Sequence, residues 1–126
     1  MKIVIEITRE PLQARGVTTA ESAAGAVVEF AGVVRGEEDG APIAALHYEV
    51  YESMARSEME RLAQELSADY PCHWMEVAHR IGRVPVGEAS ILLRIEAKHR
   101  AEAFGMLSAF MDRLKRDVPI WKKISP

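Results

Sequence analysis

Apolar and charged residues alternate from the start of the chain. Ile3, Ile5 and Ile7 fall between Lys2, Val4 and Glu6, which predicts a strand with one buried face. Residues 10–24 break that period with Pro11, Gly16 and Thr18-Thr19, and predict a loop carrying a short helix around 19–24. The run 25–35 (GAVVEFAGVVR) predicts a second strand, interrupted at Gly32, where a bulge or a close backbone approach is expected. A polar, glycine-bounded stretch, 36–40, follows and is expected to be a mobile loop. Residues 43–51 predict a third strand with Leu46, Tyr48 and Val50 on one face and His47, Glu49 and Tyr51 on the other. Ser53 is placed to cap a helix striped by Ala55, Met59, Leu62 and Leu66 and stopped by Tyr70-Pro71. Two more strands, 74–81 and 89–97, are joined by 82–88, whose Pro85, Gly82 and Gly87 predict a shaped protrusion.

The last quarter is read as a helix in which Phe104, Leu107, Phe110, Met111 and Leu114 form the core arc. Glu102, Asp112, Arg113 and Arg116 fall on the solvated side. Lys115 lies about 20° round from Phe104 at the margin of the arc, beside Ser108, where a lysine is partly desolvated or lines a cavity. Pro119 ends the helix near Asp117, and Ile120 and Trp121 can pin the following chain and fix Lys122 in space. Dipole compensation at a helix C-terminus is an equally simple reason for lysines there. Segregated helices beside mainly antiparallel strands make residues 1–126 a single α+β domain rather than a doubly wound fold.

Charge changes this picture in one place. Residues 98–126 hold seven Lys/Arg against three Asp/Glu, whereas the whole chain is −3, so the positive field is local and suits a discrete anion. An acidic body lacks the broad basic face of a nucleic-acid binder. The one cysteine, Cys72, excludes an internal disulfide and reads as a small semi-buried residue. His47, His73 and His79 share no metal-ligand spacing, and no metal or cofactor is expected. Glu6 in the first strand argues against a signal peptide, and no apolar run reaches membrane-spanning length, which together predict a cytoplasmic protein. The remaining cluster is Arg35, His99, Arg100, Lys115 and Lys122, with Phe30 and Met111 as apolar walls. Arginine holds phosphate or carboxylate through two parallel bonds and lysine adds a point charge. Arg35 is equally an exposed strand-end arginine. The residues alone imply an anion-binding pocket able to support transfer chemistry.

At these residues the sequence resembles the large, catalytic subunit of molybdopterin synthase. The likeness rests on 25–35, on 48–54 (YEVYESM), on His79-Arg80-Ile81-Gly82 with Pro85-Val86-Gly87-Glu88, on Lys98-His99-Arg100 and on Pro119-Ile120-Trp121-Lys122-Lys123, in that order. The resemblance implies an α/β-hammerhead-like α+β fold, a homodimer, and a heterotetramer completed by a small ubiquitin-like subunit with a thiocarboxylated tail. It also implies sulfur transfer to cyclic pyranopterin monophosphate, which becomes molybdopterin. Lys115 and Lys122 would be catalytic. Arg35, His99, Arg100, Val33, Val34, Lys123, Phe30 and Met111 would bind substrate, with His99-Arg100 contributed across the dimer. Family members commonly carry an acidic residue where this chain has Ile124 and run on into a longer tail. That difference is expected to weaken the closing edge of the site or the dimer contact. It supports the rival reading of a non-catalytic, dimeric module binding a ubiquitin-like tail or a pterin.

Overall fold

The computed structural model describes residues 1–125; Pro126, where the expected short tail ends, lies outside the described residues. Period-two alternation produces β1 (Lys2–Thr8), β2 (Ala26–Val33), β6 (Trp74–Arg80) and β8 (Ala89–Ala97). These form one sheet in the order β1-β6-β8-β2, with β1 parallel to β6 and the other pairs antiparallel. Register lines up the inward residues in rows. Ile3, Met75, Ile95 and Val28 make the first, and Ile5, Val77, Leu93 and Phe30 the second. Both rows are packed by α1 (Glu52–Leu66) and α2 (Arg100–Asp117). Met59 and Leu62 from α1 and Met106 and Phe110 from α2 are fully buried, each removal from water favouring the fold by about 1.5–3 kcal/mol.

The third row reads Ile7, His79, Ile91 and Gly32. Here the register of β2 shifts between Gly32 and Val33, as expected of a bulge. A Cβ at Gly32 would stand 2.7 Å from Ile91 Cγ2, so the close approach and the bulge occur at one residue.

The opposite face of the sheet is charged, with Arg94 between Glu29 and Glu76 in register. Residues 10–24 cover it without forming the short helix expected around 19–24, where a turn at Ser22-Ala23 stands instead. The backbone polar groups of this segment go to side chains. Arg15 N–H donates to Glu29 Oε2 at 3.0 Å, the carbonyls of Gly16 and Thr18 accept from Arg94, and Glu21 N–H donates to Thr19 Oγ1. Those bonds compete with helical ones.

A smaller three-stranded sheet sets β5 (Ala45–Val50) between β7 (Gly82–Pro85) and β9 (Ile120–Ser125) over a second core of Val34, Leu46 and Val84. The expected protrusion 82–88 is therefore half strand, and the segment after Pro119 is a strand paired with β5 along its whole length. Residues 36–40 belong to a ribbon of β3 (Glu37–Glu38) and β4 (Ala41–Pro42) turning through Asp39 and Gly40, whose φ values are 53° and 79°. Two successive left-handed residues make the tight turn that an Asp-Gly pair favours.

Three helix expectations shift. Helix α1 starts at Glu52 after an extended Tyr51, with no side-chain cap from Ser53, and it ends at Leu66, well before Pro71. Helix α2 stops at Asp117, as Pro119 dictates. Its buried face is Ala103, Met106, Phe110 and Leu114, and Phe104 is exposed. Large apolar residues alone misplace the arc: it is centred on small Ala103, and Phe104 lies about 100° round from it. No helix among the described residues is long and apolar enough to cross a membrane.

Candidate active site

Helix α2 ends beside the third row of the main sheet, and the chain returns there as β9. A cleft of about 330 Å³ opens there, lined by Tyr48, His79, Met111, Lys115, Trp121 and Lys122. Lys115 comes from the last turn of α2 and Lys122 from β9, and the turn at Pro119 brings the two strand-and-helix walls together. Ile120 is packed into the main core and Trp121 stands edge-on to Tyr51 at 5.3 Å, which pins β9 as expected. Lys122 is opposite Tyr48 on β5, so both look into the cleft. Its Nζ lies 3.4 Å from Glu38 Oε1 on the β3–β4 ribbon. Lys115 makes no ion pair among the described residues, so its charge is unspent.

The other expected site residues are dispersed. Met111 lines the cleft, and Phe30 stands one layer behind it, beside Gly32 and against the main core. Arg35 lines an open concavity with Gly36, Glu37 and Asp39, three residues before the Glu38 that holds Lys122. Val33 is exposed beyond the bulge. Val34 has its side chain buried in the small core, and its N–H and C=O are bonded to Glu88 and Gly87. Strand alternation turns Lys123 away from Lys122, and its Nζ lies 3.7 Å from Glu49. His99 and Arg100 are exposed at the start of α2. At 1.5 Å per residue they are about 24 Å from Lys115, too far for one small anion to touch both within a protomer.

Sequence reading passed over two cleft residues. Tyr48 and His79 stand edge-on at 5.2 Å. His79 shares the inward parity of Met75 and Val77, so a polar side chain occupies a core position, and that parity was the available signal. Its Nδ1 donates to the Arg80 carbonyl at 2.8 Å. Burial, opposed only in part by that hydrogen bond, lowers its pKa below the ordinary 6.5. The unfolded chain therefore takes up the proton first as pH falls. The neutral imidazole's contribution to stability is complete above pH 6.5 and drains away below it. Cys72 does not join the chemistry: burial, reinforced by Glu102, pushes its thiol up to about 11, and Sγ donates to the Tyr70 carbonyl.

Comparison with known proteins gives this arrangement relatives. Residues 7–117 match the model of the MoaE protein family. A molybdopterin synthase catalytic subunit from Nostoc is 41% identical over 82% of this chain and 63% of its own length. The human protein of that name is 36% identical over 97% of this chain and 66% of its own, so the chain spans about two thirds of these relatives. The crystal structure of molybdopterin synthase from Staphylococcus aureus superposes with a TM-score of 0.87 at 32% identity, covering 95% of this chain and 89% of that one. A Helicobacter pylori complex of subunits 1 and 2 of molybdopterin-converting factor superposes with a TM-score of 0.78 at 27% identity, over 95% and 83% of the two chains. A match through both helices and the seven strands β2 to β8, with over a third of aligned residues shared with each of these curated relatives, places this chain in the MoaE family.

Proposed function

We propose that residues 1–126 act as one cytoplasmic domain, the sulfur-transferring large subunit of a molybdopterin synthase. Its partner is a small ubiquitin-like subunit whose C-terminal thiocarboxylate is the sulfur donor, and its substrate is cyclic pyranopterin monophosphate. It needs no metal and no nucleic acid. The observation that carries this reading is the meeting of Lys115 and Lys122, from separate elements, in one half-apolar cleft. An anionic sulfur donor and a phosphorylated heterocycle both require cations there, and the apolar wall of Met111, Leu114 and Trp121 suits a flat ring. The Helicobacter pylori complex supports a small second subunit.

In this reading two copies pair, so that His99 and Arg100 of one supply the phosphate contacts missing beside Lys115 and Arg35 of the other, and two small subunits complete a heterotetramer. The direct test is to mix the protein with thiocarboxylated small subunit and cyclic pterin and follow dithiolene formation. Product supports the synthase; pterin or tail binding without product points to a non-catalytic module. A shared site makes a second measurement decisive. Lys115→Ala and the double variant His99→Ala/Arg100→Ala are each expected to be inactive alone. Mixed in equal amounts and allowed to exchange, they should recover about a quarter of wild-type sites, because half the dimers are mixed and each of those has one intact site. No recovery after verified exchange places each site within a single copy.

A further inference from the structure

The proposed transfer leaves a chemical problem for the cleft. Once the thiocarboxylate sulfur has bonded to the pterin carbon, it is still bonded to the acyl carbon of the small subunit. Freeing it requires water as co-reactant and a group to take the water's proton. Lysine ammonium groups have no lone pair for this, and Tyr48 and Ser90 are hydroxyls. No carboxylate lines the cleft among the described residues. His79 is the one lining side chain that carries a basic nitrogen lone pair near neutral pH.

Its placement fits the task. With Nδ1–H committed to the Arg80 carbonyl, the neutral ring carries its free lone pair on Nε2. Nε2 has no protein partner among the described residues and is not among the sealed polar atoms, so it keeps contact with the cleft. Tyr48 braces the ring edge-on. We propose that His79 Nε2 is the proton acceptor of this site, activating the water that releases sulfur from the acyl carbon; this rests on the synthase reading above. Water oxygen bonds to the acyl carbon while one water proton passes to Nε2. The carbon–sulfur bond then breaks with its electron pair on sulfur. A carboxylic acid is left on the small subunit and a thiolate on the pterin, and the acid and the imidazolium lose their protons to solvent. Lys115 and Lys122 stabilise the oxyanion and the departing thiolate.

The groups facing His79 set its pH behaviour. They are Tyr48 from β5, Lys115 from α2, Lys122 from β9 and Ser90 from β8, while Ile7 and Ile91 flank it in the sheet. Arg80, next along β6, turns to the other face and is paired with Glu88 at 2.6 Å. Two of these are cations and none is a carboxylate, and with burial lowering the histidine's pKa the base stays competent below the pH at which a free histidine would be lost.

The test is single-turnover sulfur transfer with thiocarboxylated small subunit and cyclic pterin across pH, following product and the acyl–sulfur adduct by mass spectrometry. His79→Asn keeps a donor toward the Arg80 carbonyl, and His79→Gln places a neutral amide near Nε2. Each is expected to lose about 10²–10⁴-fold in product release while the adduct accumulates and pterin affinity holds. The acidic limb of the wild-type profile should vanish in both. Folded variants within about threefold of wild type, or variants that lose product in step with pterin affinity without adduct, overturn the role. If neither variant folds, a wild-type profile with no acidic limb overturns it. Wild-type protein that forms neither adduct nor product overturns the synthase reading itself, and this inference with it.

Discussion

Lys115→Ala is expected to slow sulfur transfer by about 10²–10³-fold while leaving the fold intact. The lysine sits in the last turn of α2, its stem beside Met111 and Leu114 and its charge unpaired among the described residues. Alanine is the best helix former, and a surface change of this kind shifts stability by about 0.5 kcal/mol or less. The loss should therefore appear in the single-turnover rate and not in urea unfolding. Lys122→Ala differs in kind. Its removal also frees Glu38, whose side chain is only 19% exposed, and so places an uncompensated carboxylate at the edge of an anion site. It should weaken substrate binding as well as turnover. Equal effects on rate alone in the two variants would contradict separate roles for the two lysines.

Arg94→Met is expected to cost about 3–5 kcal/mol in urea unfolding, the largest stability effect of any single charge in this chain. Arg94 is 4% exposed on the charged face of the main sheet. Its Nε donates to Glu96 at 3.1 Å, its Nη1 lies 3.6 Å from Glu29, and its guanidinium satisfies the carbonyls of Gly16 and Thr18. Truncation strands two carboxylates and two carbonyls at once, which is costlier than losing an ion pair in water. Such a loss is a large share of the roughly 5–15 kcal/mol that holds a domain together. Residues 10–24, tethered through those carbonyls, should become the first site of proteolytic cutting. Adding Glu29→Gln and Glu96→Gln should return part of the stability, since it removes the stranded charges; no recovery would mean that the carbonyl bonds dominate.

Strand parity was the most legible feature of this chain. Ile3, Ile5, Ile7 and the β5 faces are placed by a period of two and nothing else, and the Pro119 stop of α2 follows from sterics. Elements whose polar groups are satisfied at long range were not legible. The carbonyls of Gly16 and Thr18, just ahead of 19–24, accept from Arg94, which is 78 and 76 residues away, and no local signal announces that. Phe104 was misplaced because the buried arc is centred on small Ala103, which a reading of large apolar residues passes over, and Phe104 falls about 100° from that centre. For the site, Lys115, Lys122 and Met111 were readable from helix angle and the proline turn. His79 was set aside for lack of ligand spacing, although inward parity on β6 was the sign of its place. Lys123 was read as a substrate ligand next to a catalytic Lys122, and the pairing of β9 with β5 turns the two to opposite faces.

The length of α2 has a consequence for how this protein would behave as it is diluted. Eighteen helical residues act as a spacer with cationic groups at either end, and a spacer cannot fold back on itself. If turnover needs both ends at one phosphate, turnover per chain is set by self-association. Output should then fall more steeply than the amount of protein once the concentration drops below the dissociation constant for pairing, and adding inactive Lys115→Ala chains should partly restore it.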